Sequence, residues 1–282
     1  MISIIISSYK SELFHSCIES IEKTIGLPYE IVKIDNPGVM SIAEAYNQGI
    51  ELATNNLLCF IHEDVLLKQQ NWGDCLVNVL RNESIGVAGV SGSKVMGLAP
   101  GAWWEFGGHY VQNIIQHSHG EIMHNRTDDF EDTNSEKSIE VAVVDGVFVA
   151  FRKSSNLRFN TKIPGFHAYD LAISLEAHQK CLKVVVVDGI LLEHFSSGNI
   201  DKGWFLAMDK FYDLYSSTLP LDFSESTHDL TKYENEAFKY YILNAPKKSL
   251  QVKYWKLLLK RNFFSKFHLF FLKKKLSEII DG

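Results

Sequence analysis

The first 65 residues alternate between continuous apolar runs and segments in which apolar side chains recur every three or four positions. Three runs rich in β-branched residues predict strands that are buried on both faces: 2–8, 29–34 and 57–61. The segments 12–25 and 41–54 predict helices, and Ser41 with Glu44 predicts a capping box. Strands that alternate with helices indicate an α/β fold with parallel strands and right-handed crossovers.

The rest of the chain first extends this pattern and then leaves it. Further helices are predicted at 72–80 and 169–180, and further strands at 85–90, 183–187 and 191–194. Residues 139–152 are strand-like and are interrupted by Asp145 and Gly146. Residues 97–140 show no clear period, so we expect a long irregular segment, which in a compact domain usually serves a function. After residue 201, aromatic-rich helical patterns continue. We therefore expect an α/β domain over 1–200 and a helical region over 201–282.

The composition is that of a globular protein, with 46% apolar and 22% charged residues. No apolar run approaches the roughly 18 residues of a membrane span, and the first residues lack the charged region and cleavage site of a secretory signal. Four cysteines form no CxxC pair and lie among apolar residues: Cys17, Cys59, Cys75 and Cys181. We expect buried thiols and a cytoplasmic protein, because a reducing compartment keeps such thiols free.

The net charge of −6 averages two unlike parts of the chain. Residues 247–276, which we call the basic tail, hold nine lysines, one arginine and no acidic residue; 18 basic and 34 acidic residues remain elsewhere, a net −16. Bulky apolar side chains recur along the tail: Trp255, Leu258, Leu259, Phe263, Phe267, Phe270 and Phe271. The tail is either an interfacial helix at the inner face of an anionic membrane or a bundle packed on the α/β domain. Nucleic acid is a poor partner, because the acidic remainder would repel phosphates.

Polar side chains follow the predicted strands, where an open parallel sheet binds its ligands. They are Ser7, Ser8 and Tyr9, then Asp35 and Asn36, then His62, Glu63 and Asp64, and finally Asp145 and His194. Three familiar nucleotide signatures are missing, namely GxGxxG, the Walker A loop and the Gly-rich loop of sugar nucleotidyltransferases. The last absence disfavours nucleotidyl transfer.

Five stretches in order along the chain carry a specific resemblance. They are Ile4–Tyr9, Val32–Asn36, Ala43–Ile50, Leu58–Asp64 and Gly165–Asp170. Together they resemble the family 2 glycosyltransferases of GT-A fold over roughly residues 1–200, with the 58–64 stretch at the place of the family's DxD motif. His-x-Asp at 62–64 and the last stretch resemble the subgroup named after the streptomycin-biosynthesis protein StrF. The resemblance implies a mixed, mainly parallel sheet flanked by helices.

The resemblance also implies a divalent cation, Mn²⁺ or Mg²⁺, that would neutralise the diphosphate of a nucleotide sugar. Asp64 is the expected carboxylate ligand, with a solvated loop acid as the alternative. His62 departs from the family carboxylate, so it is either a softer ligand suited to manganese or a side chain packed under the nucleotide. His194 resembles a late histidine that completes the metal site; the alternative is a structural histidine.

The donor implied by the resemblance is a nucleotide-diphosphate sugar, with a UDP-sugar as our expectation. Asp35 matches the acid that meets the nucleobase or ribose, and its alternative is an Asx turn before Pro37. Ser8 and Tyr9 either line the base pocket or form an ordinary strand-to-helix turn. The remaining donor-side candidates are Ser7, Asn36, Asn47, Glu63 and Asp145, of which Glu63 faces either ribose or solvent.

Asp170 matches the general base of an inverting transfer, the group that takes the proton from the acceptor hydroxyl. Its alternative is a helix-start aspartate favoured by the helix dipole. The family pattern is ED-x-D; Tyr169 stands in place of the glutamate and Ala172 in place of the second aspartate. The loss at 172 keeps a second hypothesis open, a GT-A scaffold that binds without turnover. The acceptor would be a saccharide or a lipid-linked sugar, as in surface polysaccharide synthesis.

Four histidines lie within 16 residues of the predicted irregular segment: His109, His117, His119 and His124. They lack the cysteines and the helical i, i+4 spacing of a zinc site, so a surface loop is the favoured interpretation and a zinc site the alternative.

Overall fold

The structure is a computed structural model that describes residues 1–118, 120–127, 130, 138–196, 198–224 and 229–280. The strands are β1 (Ile2–Ser8), β2 (Tyr29–Asp35), β3 (Leu57–Ile61), β4 (Val65–Leu67), β5 (Ile85–Gly89), β6 (Ser91–Ser93), β7 (Val95–Met96), β8 (Tyr110–Ser118), β9 (Glu121–Arg126), β10 (Ser138–Glu140), β11 (Val143–Val144), β12 (Phe148–Arg152), β13 (Lys183–Val187), β14 (Leu192–His194) and β15 (Leu221–Asp222). The helices are α1 (Ser11–Thr24), α2 (Ile42–Leu52), α3 (Trp72–Leu80), α4 (Tyr169–Gln179), α5 (Lys202–Tyr215), α6 (Thr231–Asn244), α7 (Lys248–Arg261) and α8 (Phe267–Ile280).

A seven-stranded sheet forms the centre of the molecule, in the order β10-β13-β5-β12-β3-β1-β2. The pairs β1–β2, β1–β3 and β5–β13 are parallel, whereas β12 runs antiparallel between β3 and β5. The predicted mixed α/β fold is therefore confirmed. β1 is buried along almost its whole length because helices cover both faces of the sheet, which explains its continuous apolar sequence.

A second sheet, in the order β11-β6-β8-β14-β4 with β9 paired to β8, overturns the expectation that 97–140 is irregular. Residues 110–118 and 121–126 form an antiparallel hairpin. The sequence does not predict this hairpin, because β9 is largely exposed and carries no apolar alternation. β9 is a strand because it pairs with β8. His117 and His124 therefore lie on strands and not in a loop. Residues 119, 128, 129 and 131–137 lie outside the described part of the chain.

The helices begin and end close to the predicted positions. In α2, the Ser41 side chain accepts the backbone N–H of Glu44, and the Glu44 carboxylate accepts that of Ser41, so the predicted capping box is confirmed. Residues 138–152 form β10, β11 and β12, and the predicted interruption at Asp145 and Gly146 lies between β11 and β12.

The C-terminal helices share a hydrophobic core with the α/β part of the chain. Trp204 and Phe211 of α5, Leu258 of α7 and Phe271 of α8 are buried in one cluster with Leu171 of α4. Part of the basic tail is thus packed as in the bundle interpretation. Among the helices of the described residues, none combines the length and the apolar character that spanning a bilayer requires.

The cysteines divide between interior and surface. Cys17 and Cys59 are buried as expected, but Cys75 is only partly buried and Cys181 is exposed. The expectation of buried thiols is therefore wrong for Cys181, which lies in the turn after α4 with a left-handed backbone (φ 57°).

Candidate metal and nucleotide site

The carboxyl ends of β1, β2 and β3 open into a cavity of about 640 Å³, within the roughly 300–1,000 Å³ typical of small-molecule sites. Most of the strand-end residues singled out from the sequence meet there. The lining includes Ser7, Tyr9, Lys10, Asn36, His62, Glu63, Asp64, Phe166, Tyr169 and Phe195.

At the edge of this cavity, His62, Asp64 and His194 each offer one ligand atom, all within 4.8 Å of one another. The Asp64 Oδ1 atom lies 3.9 Å from His62 Nδ1 and 3.6 Å from His194 Nε2. β3 delivers the first two residues, and β14, antiparallel to β4, delivers the third. Two imidazoles and a carboxylate form a donor set that a transition-metal dication accepts.

Hydrogen bonds to Tyr169 set the tautomer of His62. The Tyr169 hydroxyl donates to the carbonyl oxygen of Gly146 at 3.1 Å, and it lies 2.6 Å from His62 Nε2. Because a hydroxyl has a single hydrogen, and a carbonyl only accepts, His62 Nε2 must carry the proton in this second contact. The Nδ1 lone pair of His62 is then free on the side that faces Asp64, as metal ligation requires.

Gln116 sets the tautomer of His194 in the same way. Its amide nitrogen donates to the carbonyl oxygens of His117 and Ser196, at 2.9 and 2.5 Å, which fixes the orientation of the amide. The amide oxygen of Gln116 therefore accepts from His194 Nδ1 at 3.0 Å. The lone pair of His194 then lies on Nε2, which faces Asp64 and accepts from the Ser196 hydroxyl at 3.0 Å. Burial, and then the charge of His62, lowers the pKa of His194, which favours the neutral, ligating form.

The donor-side candidates at the ends of β1 and β2 differ in whether they line the cavity. Asn36 is buried and lines the cavity, where its side chain bonds both ways with the Met40 backbone. Asp35 is absent from the cavity lining; its carboxylate, 79% exposed, pairs with Lys33 at 2.6 Å. Tyr9 is exposed at the cavity mouth, and Ser8 is buried with its carbonyl accepting from the Asn36 N–H.

Two other candidates hold backbone in place. The buried Glu63 carboxylate accepts the backbone N–H groups of Tyr9 and Lys10, at 3.2 to 3.4 Å, at the entry to α1. The Asn47 amide bonds both the N–H and the carbonyl of Phe159. These contacts shape the loops around the cavity, and Asn47 itself does not line it.

Asp170 and Asp145 form a pair of neighbouring carboxylates linked to the His62–Asp64–His194 cluster through Tyr169 and Gly146. The Gly146 N–H donates to Asp170 Oδ2 at 3.0 Å, while Asp145 accepts from Trp103 Nε1 at 3.1 Å and from the Val147 N–H at 2.8 Å. Burial, and then the charge of Asp145, raises the pKa of Asp170 to about 7. A carboxylate with such a pKa is suited to general base catalysis near neutral pH.

Ala172 is fully buried in the core on α4, so this position offers no place for a supporting carboxylate without burying its charge. Asp145 supplies a second carboxylate from a different element instead. The α4 backbone begins at Ala168 in a left-handed conformation (φ 59°), directly before Tyr169 and Asp170.

A second cavity of about 840 Å³ adjoins the first and shares Tyr9, Phe166, Phe195 and Ser196 with it. The β8–β9 hairpin and the loop after β14 form its walls. His117 meets Glu193 at 2.7 Å, and His167 meets Asp201, the N-cap of α5, at 3.4 Å. Lys68 also pairs with Glu193, at 2.6 Å, so these side chains are held in fixed positions.

Sequence reasoning missed the two residues that orient the histidines. In the sequence, Tyr169 stands out only as a departure from a family glutamate. Its position directly before Asp170 is the one signal that it belongs to the site. Gln116 gave none, because its strand was not predicted. Both act through contacts between elements that are distant in sequence.

A mixed α/β sheet with a histidine–aspartate cluster at its strand ends defines a protein of GT-A-like fold. The chain matches the profile of the family described as "Glycosyltransferase like family" over residues 3–218, and it belongs to that family. Among solved structures, the chain is similar to GalNAc-T7 in its crystal structure with UDP, GalNAc and Mn²⁺. The identity is 11% and the TM-score 0.49, over 86% of this chain and 56% of that one, so this chain spans little more than half of GalNAc-T7. No curated protein sequence matches it.

Proposed function

We propose that this protein transfers a sugar from a nucleotide-diphosphate sugar, with a UDP-sugar as the expected donor, to a saccharide or lipid-linked acceptor. The observation that carries the proposal is the cluster of His62, Asp64 and His194, with both imidazole lone pairs set toward Asp64 at the edge of a nucleotide-sized cavity. Family membership supports the reaction class. The subgroup named after StrF remains a prediction.

The donor set favours Mn²⁺ over Mg²⁺. Mg²⁺ prefers all-oxygen, near-octahedral surroundings, whereas two imidazoles suit a softer dication. Bound beside the diphosphate, the ion would neutralise the charge that develops on the leaving group. His62, Asp64 and His194 would hold it, and Tyr169 and Gln116 would keep both histidines in the ligating tautomer.

Asp170 is proposed as the general base. In this step its carboxylate takes the proton of the acceptor hydroxyl as that oxygen forms a bond to the anomeric carbon. The bond from that carbon to the diphosphate oxygen breaks on the opposite face, so the configuration inverts. The raised pKa of Asp170 lets it accept the proton near neutral pH and release it afterwards.

The second cavity is the proposed acceptor site. The rings of Tyr9, Phe166 and Phe195 are exposed there and offer apolar faces, while His117 and His167 offer hydrogen bonds, a combination that suits a saccharide. His117 lines the second cavity and not the first, so His117→Ala should raise KM for the acceptor and leave the affinity for UDP nearly unchanged.

The test is calorimetric titration with UDP and other nucleoside diphosphates, with and without Mn²⁺. Asp64→Asn should abolish the metal-dependent part of nucleotide binding, and Asp74→Asn, an exposed acid in the first turn of α3, should retain it. The absence of metal-dependent binding for every nucleoside diphosphate in wild type would refute the proposal.

A second function, binding without turnover, is favoured by Ala172 in place of the family's second aspartate. Donor hydrolysis in the presence of Mn²⁺ separates the two. Turnover that is lost in Asp170→Asn, with UDP binding retained, supports the transferase. Wild-type protein that binds UDP and Mn²⁺ but hydrolyses no donor and glycosylates no acceptor supports the scaffold.

A further inference from the structure

Helix α8 has two apolar faces, and only one of them is packed. On the inner face, Phe271 is buried and its ring centroid lies 5.5 Å from that of Trp255 on α7. On the outer face, Leu269, Leu272 and Leu276 are 66%, 43% and 59% exposed. Their spacing of three and four residues places them in one stripe along the helix. Apolar helix faces are normally buried, so the exposed outer face of α8 indicates a second contact surface.

The turn between α7 and α8 carries two further exposed aromatic rings. Phe263 and Phe264 are 69% and 93% exposed, and they contact each other edge to face. With Phe270, which is 54% exposed, six bulky apolar side chains are thus exposed within 14 residues of sequence. Exposed apolar surface concentrated in this way marks an interaction site more often than chance exposure does.

The cations of the basic tail fall into two groups. Lys253 pairs with Asp209 and Asp213 on α5, Arg261 with Glu234 on α6, and both Lys248 and Lys275 with Glu278 on α8. In contrast, six exposed lysines form no ion pair with any described residue: Lys247, Lys256, Lys260, Lys266, Lys273 and Lys274. Two of them, Lys266 and Lys273, lie seven residues apart on the edge of the leucine stripe of α8.

We propose that the α7–α8 turn and the outer face of α8 form a membrane-binding surface for anionic lipid. Leucine and phenylalanine side chains would enter the interface while the unpaired lysines meet the headgroups, the arrangement of an interfacial helix. A second copy of the chain fits less well, because self-association through this face would bring like-charged lysines such as Lys266 and Lys273 together. The surface is independent of the proposed transferase activity.

This surface differs from the one that the sequence suggests. Leu258, Phe267 and Phe271 of the basic tail belong to the inner, packed side, whereas Phe264, Leu269, Leu272 and Leu276 are the residues in position to contact lipid.

The test is cosedimentation of the full chain with phosphatidylcholine vesicles that contain or lack phosphatidylglycerol. Wild type should bind the anionic vesicles and lose affinity as salt rises. Lys266→Gln with Lys273→Gln should weaken binding by about fivefold per lysine, roughly 25-fold together, at low salt. Leu269→Ser with Phe264→Ser should weaken it by about tenfold or more, because apolar groups no longer enter the bilayer.

Matched controls separate this surface from exposure in general. Leu52→Ser removes a leucine that is 58% exposed at the end of α2, and Lys23→Gln removes an exposed lysine of α1; both should bind vesicles as wild type does. Circular dichroism checks that each variant is folded. Failure to bind anionic vesicles, equal binding to neutral vesicles, or a dimer that the Leu269 and Phe264 substitutions dissociate would each overturn the proposal.

Discussion

Replacing Tyr169 with phenylalanine tests whether hydrogen bonds prepare the metal site before the ion arrives. The substitution keeps the aromatic ring but removes the hydroxyl that accepts from His62 Nε2 at 2.6 Å and donates to Gly146 at 3.1 Å. His62 Nε2 then loses the partner that holds its proton, so the other tautomer, with the proton on Nδ1 toward Asp64, becomes accessible. Removing such a partner typically costs 10- to 100-fold in metal affinity, or about 1.4–2.7 kcal/mol.

The assay is calorimetric titration of the metal-free protein with Mn²⁺, combined with nitrogen chemical shifts of labelled histidine, which distinguish the two tautomers. Tyr241→Phe is the matched control, because that buried hydroxyl also donates to a backbone carbonyl, that of Phe205 at 2.6 Å, within the C-terminal core. Both variants should lose about 1 kcal/mol of unfolding free energy. Only Tyr169→Phe should lose metal affinity; unchanged Mn²⁺ affinity, or an equal loss in both variants, would refute the reasoning.

Three further predictions follow from the same geometry. Because burial, and then the charge of Asp145, raises the pKa of Asp170 to about 7, the wild-type transfer rate should rise with pH up to about that value, where Asp170 becomes ionised. Asp145→Asn should lower that pKa and move the acid limb of the kcat/KM profile to lower pH; an unmoved limb would argue against Asp170 as the base. A Cβ at Gly146 would lie 2.1 Å from the Tyr169 hydroxyl oxygen, so Gly146→Ala should displace Tyr169 and weaken Mn²⁺ binding in calorimetric titration. Ser41→Ala should cost about 1 kcal/mol in urea unfolding and leave Mn²⁺ affinity unchanged, because it removes a helix cap that is remote from the metal ligands.

The sequence predicted the part of the fold that is encoded locally. Continuous apolar strands, amphipathic helices and the capping box of α2 depend on neighbours within a few positions, and their predicted bounds agree closely with the structure. The β8–β9 hairpin depends on backbone pairing between strands that are rich in polar residues, so no local hydrophobic periodicity predicts it. The same limit applies to the site. His62 and Asp64 were visible at a strand end, but Gln116, which orients His194, lies on the strand that was missed.

The α8 helix shows why composition alone could not assign the basic tail. Its apolar residues occur on nearly all sides, so periodicity does not say which face is buried. The position of α7 determines which face is buried, because Trp255 packs against Phe271 and the leucine stripe stays exposed. The charges divide in a similar way: Lys253 and Arg261 pair with acidic residues of α5 and α6 and stabilise the bundle, whereas Lys266 and Lys273 form no ion pair with any described residue. The two interpretations of the tail are therefore compatible, because packing one face of α8 leaves the other face, with its lysines, exposed for the proposed contact with a membrane.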